Sequence, residues 1–295
     1  KFTIWERGWS GLRESYAYAT IKVPANNPAS ISADPGSDNN VVEAGAGVAG
    51  DATAGGKLTV SDDVGQTGFR VPANLNGAYG RFTFDASTGV WGYTLDNAKA
   101  DKLTAGQSAS DSLTVGSYDG TASHTITVDI TGSNDGPVVT SGTTSSVAEN
   151  AAPNTVVYQA TATDPDAGDT VTWSLSGTDA AKFNIAADGK VTLKASADYE
   201  AQNSYSFSVV ATDPGGLTTS KAVTLAVTNV NEAPTITSGA GGSVVENAAA
   251  STVVYQATAT DPDAGDKVTW SLTGTDATKL NIGTDGRSEE RRVGK

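Results

Sequence analysis

One stretch of this chain occurs twice. Residues 146–189 and 243–286 are identical at 35 of 44 positions, with a constant offset of 97. Each copy carries Glu-Asn near its start (Glu149-Asn150 and Glu246-Asn247). Thr-Val-Val-Tyr-Gln-Ala-Thr-Ala-Thr-Asp-Pro-Asp-Ala-Gly-Asp follows, and then Val-Thr-Trp-Ser-Leu. A repeat of this size marks a tandem array, one supersecondary plan used over and over along the chain. Such an array has no single active centre, and it returns its carboxylates to the same places in every unit.

Within and around the copies the apolar residues alternate. Val171, Trp173 and Leu175 stand between Thr172 and Ser174; Tyr205, Phe207, Val209 and Ala211 between Ser206, Ser208 and Val210; Val223, Leu225 and Val227 between Thr224 and Ala226. A period of two is the signature of a strand with one face in a core and one in water. Thr, Val and Tyr suit that pleated surface. Asp-Pro, Asp-Gly, Pro-Gly-Gly and Asn-Asp-Gly-Pro punctuate the runs with turn chemistry, and no long 3.6-residue pattern appears. The expected class is all-β, with β-sandwich domains in tandem.

The chain of 295 residues has room for two or three domains of about 100 residues each. It has no Cys, so neither disulfides nor zinc modules organise it, and no Met, so it is expected to begin inside a longer protein. No window approaches the roughly 18 apolar residues of a membrane span. Residues 1–22 and 287–295 each carry +2, so the body between them carries −18 of a net −14. That balance argues against nucleic acid, whose phosphates call for Lys and Arg. The final Arg287-Ser288-Glu289-Glu290-Arg291-Arg292-Val293-Gly294-Lys295 abandons the repeat at its midpoint. It reads as the in-frame translation of a sequencing adapter, so 287–295 is set aside from the fold.

The units end alike. Gly132-Ser133-Asn134-Asp135-Gly136-Pro137 parallels Thr228-Asn229-Val230-Asn231-Glu232-Ala233-Pro234, and Val23-Pro24-Ala25-Asn26-Asn27-Pro28 is a weaker echo. These short, Pro-containing linkers set boundaries near 28, 137 and 234. Residues 1–27 are then the remnant of a preceding module, 28–137 and 138–234 are whole domains, and 235–286 is a truncated one.

Residues 138–234 resemble a bacterial cadherin repeat through Val147-Ala148-Glu149-Asn150, Ala162-Thr163-Asp164-Pro165-Asp166, Asp198-Tyr199-Glu200, Ala211-Thr212-Asp213 and Asn231-Glu232-Ala233-Pro234. Residues 235–286 resemble the first half of the next one. Residues 28–137 resemble the VCBS-type repeat of large bacterial adhesins, through Val42-Glu43-Ala44-Gly45, Gly56–Asp62, Tyr79–Phe84, Gly89–Asn97, Tyr118-Asp119-Gly120 and Asn134–Pro137. The implied architecture is a set of Ig-like or cadherin-like β-sandwiches joined end to end by short linkers, and the implied cofactor is calcium. Calcium takes six to eight oxygens in flexible geometry. In the family these come from the base of one repeat, the linker and the top of the next. Carried over by motif, the joint near 231 would use Glu149, Asp198 and Glu200, then Asn229, Asn231 and Glu232, then Asp261 and Asp263. The joint near 134 would use Asn134 and Asp135, then Asp164, Asp166 and Asp213, with Glu43 as base acid. The linker departs from the animal cadherin pattern, since the neutral Asn229 stands where a charged ligand is typical.

Other readings are weaker. An EF-hand at Asp164–Asp169 needs a bidentate acid at its twelfth position, which is Leu175 here and Leu272 in the copy. Trp91, Trp173 and Trp270 are expected in the core, and Asp96, Asp119 and Asp188 in turns. His124 is the lone histidine on an alternating strand; no nucleophile–base pair is visible, and carboxylates that repeat with the array are not a glycosidase pair. The expected function is a non-enzymatic, calcium-stiffened spacer in a bacterial surface or secreted adhesin, outside the cell or associated with the outer membrane. Its expected partners are neighbouring repeats, other cell-surface proteins or polysaccharide. The alternatives are a non-catalytic region of a large secreted enzyme, or a carbohydrate-binding module within 28–137.

Overall fold

The computed structural model describes residues 25–291, together with the backbone of the antiparallel strands Phe2–Glu6 and Arg13–Ala17. Most of the segment read as a preceding module's remnant, and residues 292–295 of the adapter-like tail, lie outside the described residues. The chain divides into two compact units: Lys1–Asp135 with Pro165–Ala167, and Gly136–Asp164 with Gly168–Lys295.

The first unit is built on two four-stranded sheets. One runs in the order Asn40–Val42, Ser123–Thr131, Ser108–Ser117, Phe69–Arg70; the other in the order Ser30–Ala33, Thr53–Ser61, Val90–Leu95, Gly80–Phe84. Alternation decides what is buried. Along Ser123–Thr131 the side chains of Ile126, Val128 and Ile130 enter the core while Thr125, Thr127 and Asp129 face water. They meet Leu58, Phe82, Trp91, Tyr93, Leu113 and Val115 in one cluster. Each such burial stabilises by about 1.5–3 kcal/mol. Phe82 and Tyr93 pack edge to face at 4.8 Å, the arrangement their ring quadrupoles favour.

One core position holds a carboxylate. Asp111 is 5% exposed, and it accepts the Tyr93 hydroxyl at 2.7 Å and the backbone N–H groups of Ala78, Tyr79 and Gly80 at 2.7, 3.0 and 3.0 Å. Four donors satisfy a charge that would otherwise be costly to bury. The loop must come close for this: a Cβ on Gly77 would lie 2.1 Å from the Asp111 carboxylate.

The second unit repeats the sandwich plan at 138–234. The sheet Thr144–Ala148, Thr218–Thr228, Ser204–Thr212, Thr172–Ser176 shares a core with Val156–Gln159, Lys190–Leu193, Phe183–Ile185. Tyr205, Phe207, Val209, Ala211, Val223, Leu225 and Val227 are all buried, as their alternation requires. In both units the outermost strand of one sheet runs parallel to a later one: Asn40–Val42 along Asp129–Thr131, and Thr144–Ala148 along Thr224–Thr228.

The second copy follows the first only in part. Val253–Gln256, Arg287–Glu290 and Leu280–Ile282 reproduce the three-stranded sheet. Arg287–Glu290, set aside on sequence, therefore pairs as a strand, because backbone hydrogen bonds do not depend on side chains. Its side chains do not follow the plan: Ser288 and Glu290 stand where the first copy has the buried Val191 and Leu193. Thr172–Ser176 is a strand paired to Ser204–Thr212, whereas residues 268–272, with the same Val-Thr-Trp-Ser-Leu sequence, form none. Among the described residues no strand corresponding to Ser204–Thr212 pairs with them. Trp91 is buried in the first unit's core and Trp173 packs, partly buried, against the second unit's, but Trp270, also expected in a core, lies in irregular chain and is only partly buried. An open hollow of about 390 Å³ lies against Val244, Val254, Tyr255 and Leu280.

Candidate metal centres at the linkers

Each whole sandwich ends in one buried glutamate. Glu43 and Glu149 directly follow the parallel edge strand, and their N–H groups bond Thr131 O at 2.9 Å and Thr228 O at 3.0 Å. Their carboxylates turn toward the chain leaving the domain. Glu43 Oε2 accepts the Ser133 N–H at 3.0 Å. Glu149 Oε1 accepts the Val230 N–H at 2.7 Å, and its Oε2 accepts the Tyr199 N–H at 2.9 Å. Ser133 and Val230 are themselves 97 residues apart, so Glu43 occupies in the first unit the place that Glu149 holds in the second.

At the joint near 231, Glu149, Glu200 and Glu232 bring carboxylate oxygens within 4.8 Å of one another. Asn150 directly follows Glu149 in the chain. Its φ of 59° is left-handed, a conformation asparagine tolerates better than most residues, and it aims the amide at Glu232 Oε1, 2.8 Å away. Asn229 donates to Glu200 Oε1 at 3.5 Å, and Asn231 donates to the Glu232 carbonyl at 3.1 Å. Burial raises the Glu200 carboxyl above its usual range, and the charges of Glu149 and Glu232 add to the rise. The Glu232 N–H bonds Asp263 Oδ2 at 2.7 Å, which ties the linker to the next Asp-Pro-Asp loop. There Asp261, Asp263 and Asp266 also converge within 4.8 Å, as Asp164, Asp166 and Asp169 do in the earlier loop. Asp198 is not drawn into the glutamate cluster. It is exposed, and its Oδ1 accepts the Ala201 N–H of its own turn at 2.8 Å.

In the first unit, Glu43, Asp101 and Asp135 converge within 4.8 Å. Glu43 is fully buried, and its Oε1 has no hydrogen-bond partner among the described residues. A buried carboxylate oxygen without a donor is the feature a cation would satisfy. Burial, reinforced by the Asp135 and Asp101 charges, pushes the Glu43 carboxyl up to about 7. The Asp135 N–H bonds Asp166 Oδ2 at 2.8 Å, matching Glu232 to Asp263. Asn134 donates to the Asp135 carbonyl at 3.3 Å. Asp164 and Asp213 belong to the second unit, where Asp213 is buried and accepts the Leu217 N–H at 2.8 Å.

Three acids escaped the sequence reading. Asp169 and Asp266 are third acids of the repeated loop and were visible as such. Asp101 closes the short helical turn Asn97–Ala100, which no repeat signal marks. The clusters offer carboxylate and amide oxygens and no sulfur or imidazole among the described residues. That donor set fits a hard cation such as calcium, not zinc.

Comparison with known proteins finds likeness to cadherins. Residues 143–230 match the Cadherin domain family. The chain is 32% identical to human (Homo sapiens) Cadherin-24 over 204 residues, 62% of this chain and 25% of that protein. It is 33% identical to Protocadherin-like wing polarity protein stan of Drosophila melanogaster over 134 residues, 43% of this chain and 4% of that protein. The chain thus spans a quarter or less of these relatives. Among solved structures, mouse Cadherin-23 EC22-24 superposes with a TM-score of 0.55 at 22% identity, covering 90% of this chain and 89% of that one. The Protocadherin gammaB7 EC3-6 cis-dimer structure gives 0.56 at 20% identity, with 90% and 69% covered. By name the curated relatives are a cadherin and a protocadherin-like protein. Among the described residues no helix is long and apolar enough to cross a membrane.

Proposed function

We propose that this chain is a calcium-stiffened spacer segment of a large bacterial surface or secreted adhesin, built from a VCBS-type repeat (28–137), a cadherin repeat (138–234) and the first half of another (235–286). One observation carries the reading. The same acid plan recurs at two linkers, with a buried glutamate below (Glu43, Glu149), an acidic linker residue (Asp135, Glu232), and that residue's N–H on an aspartate of the next loop. Without metal these carboxylates repel one another; a divalent cation offsets the repulsion and fastens the linker. Glu149, Glu200, Glu232 and Asp263 would hold it near 231, and Glu43, Asp101, Asp135 and Asp166 near 134.

Extracellular modules of this kind bind calcium on the order of 10⁻⁴–10⁻³ M, a level met outside cells. The array would therefore stay loose inside the cell and stiffen after export. Its contacts would be neighbouring repeats, further copies as in the protocadherin cis-dimer, other surface proteins or polysaccharide. The test is thermal unfolding of the full chain at fixed ionic strength in millimolar calcium, millimolar magnesium or chelator. Binding to the folded state alone must raise the midpoint, so a calcium-specific rise is expected. Equal midpoints in all three would mean the acids are only a solvated surface.

A further inference from the structure

The linker that enters the first sandwich follows the same backbone plan with different side chains. The Asn27 N–H bonds Asp63 Oδ2 at 3.0 Å, as Asp135 bonds Asp166 at 2.8 Å and Glu232 bonds Asp263 at 2.7 Å. The loop receiving it is also the same turn. The Gln66 N–H bonds Asp63 O at 2.9 Å and the Asp266 N–H bonds Asp263 O at 3.2 Å. Gly65, Gly168 and Gly265 all sit at left-handed φ, 88°, 93° and 99°. This superposition aligns three positions. Where the later loops have Asp164 and Asp169, or Asp261 and Asp266, the first has Ser61 and Gln66. Where the later linkers have Asp135 or Glu232, the first has Asn27. At each of them a neutral group replaces an acid.

The neutral groups are engaged. Asn27 Nδ2 donates to Asp63 Oδ1 at 2.9 Å, so Asp63 is held on both oxygens by one residue. Gln66 Nε2 donates to Asn26 Oδ1 at 3.0 Å, and Asn26 Nδ2 donates to Asp119 Oδ2 at 2.9 Å. Asp119 also receives Ser117 Oγ at 2.6 Å, Thr121 N at 3.0 Å and Thr121 Oγ1 at 2.7 Å. The chain beyond the linker is pinned as well, by Ala29 N–H on Thr121 Oγ1 at 2.8 Å. In the later linkers the asparagines matching Asn26 turn instead to the next carbonyl. Asp62 stands at the position of Pro165 and Pro262, and its Oδ1 accepts the Asp63 N–H at 2.8 Å. Its other oxygen, with no partner among the described residues, falls far short of a six- to eight-oxygen calcium shell.

We propose that linker 25–28 is a metal-independent joint, in which the amides of Asn26, Asn27 and Gln66 take the place that a cation takes at the two later linkers. This rests on the calcium reading of those two. The chemistry supports it: a cation here would have to displace two donors from Asp63 and four from Asp119, each a charge-assisted bond. The chain would then combine one permanently closed linker with two that close only in calcium.

Hydrogen exchange of the full chain, read by mass spectrometry in millimolar calcium and in chelator, tests this. Peptides over 25–29 should exchange alike in both conditions, while peptides over 134–137 and 229–234 should slow about tenfold or more in calcium. Calcium-dependent protection at 25–29 would overturn the proposal. If no linker responds, the calcium reading of the later two fails, and the amide joint is judged by its own variant. Asn26→Ala with Asn27→Ala should speed exchange at 25–29 about tenfold with or without calcium; unchanged exchange would sink it. The triple change Ser61→Asp, Asn27→Asp and Gln66→Asp should make 25–29 respond to calcium, and a linker still indifferent would show that these positions do not decide the matter.

Discussion

Buried acids in this chain stand in two different settings, and their partners tell them apart. Asp111 is saturated by four donors, three from the backbone of residues 78–80 and one from Tyr93 on Val90–Leu95, so it is part of the sandwich. Asp111→Ala leaves those donors without an acceptor and should cost about 3 kcal/mol or more, seen as a lower urea midpoint with an unaltered calcium response. Glu43 has one oxygen bonded and one left over beside two further acids. Its carboxyl is pushed from 4.5 up to about 7 by burial. An acid whose pKa rises on folding favours the folded state below its unfolded pKa and loses that contribution as pH climbs through the folded one. Without metal the first unit should therefore weaken from about pH 4.5 to 7, and Glu43→Gln should flatten that slope. Since calcium needs the ionised form, its stabilisation of the wild type should grow over the same range, and thermal unfolding at several pH values checks both trends. At the second base, Glu149→Gln should remove most of the calcium-induced shift of the 138–234 transition.

The two copies of Val-Thr-Trp-Ser-Leu show what a strand needs. At 171–175 the sequence lies on the edge of a sheet against Ser204–Thr212; at 268–272 it does not. Amides of 173–175 should accordingly exchange far more slowly than those of 270–272, and limited proteolysis should cut within 235–291 before 138–234. Cuts in the reverse order would contradict the pairing argument. The same contrast explains what was legible beforehand. Alternation located the strands at 204–212 and 218–228, and the motifs of the family resemblance pointed to Glu149, Glu232, Asp263, Glu43 and Asp135, because both signals are local in sequence. Asp101 enters its cluster through the fold of a four-residue helical turn, and Asp198 stays out because its own turn claims it. Neither fact is written in spacing. The strand at Arg287–Glu290 was missed for a related reason: its side chains break the pattern, while its backbone can still complete a ladder.

Across the molecule the dominant charge term is the −18 carried by the body between residues 22 and 287. Repulsion of that kind is screened by salt. In chelator, raising sodium chloride from about 10 mM to 0.5 M, which shortens the Debye length from about 30 Å to below 10 Å, should raise the unfolding midpoint. In calcium the same change should have a smaller effect, because the closest carboxylates are already neutralised. A fall in the midpoint with salt in chelator would show that attractive surface pairs, not crowded acids, govern the apo protein.

The parallel edge strand has a mechanical meaning. After the short strand Val138–Val139, the chain of the second sandwich runs along Thr144–Ala148 and finally leaves along Thr224–Thr228, side by side and in the same direction. A tension applied to the two ends of that sandwich pulls these strands past each other lengthwise. The bonds of the ladder then share the load and must rupture together, instead of opening one at a time as in a hairpin peeled from its tip. The first sandwich has the same parallel pair in Asn40–Val42 against Asp129–Thr131, reached after the antiparallel strand Ser30–Ala33. Each whole sandwich thus carries a ladder whose bonds share a pull along the line of the chain.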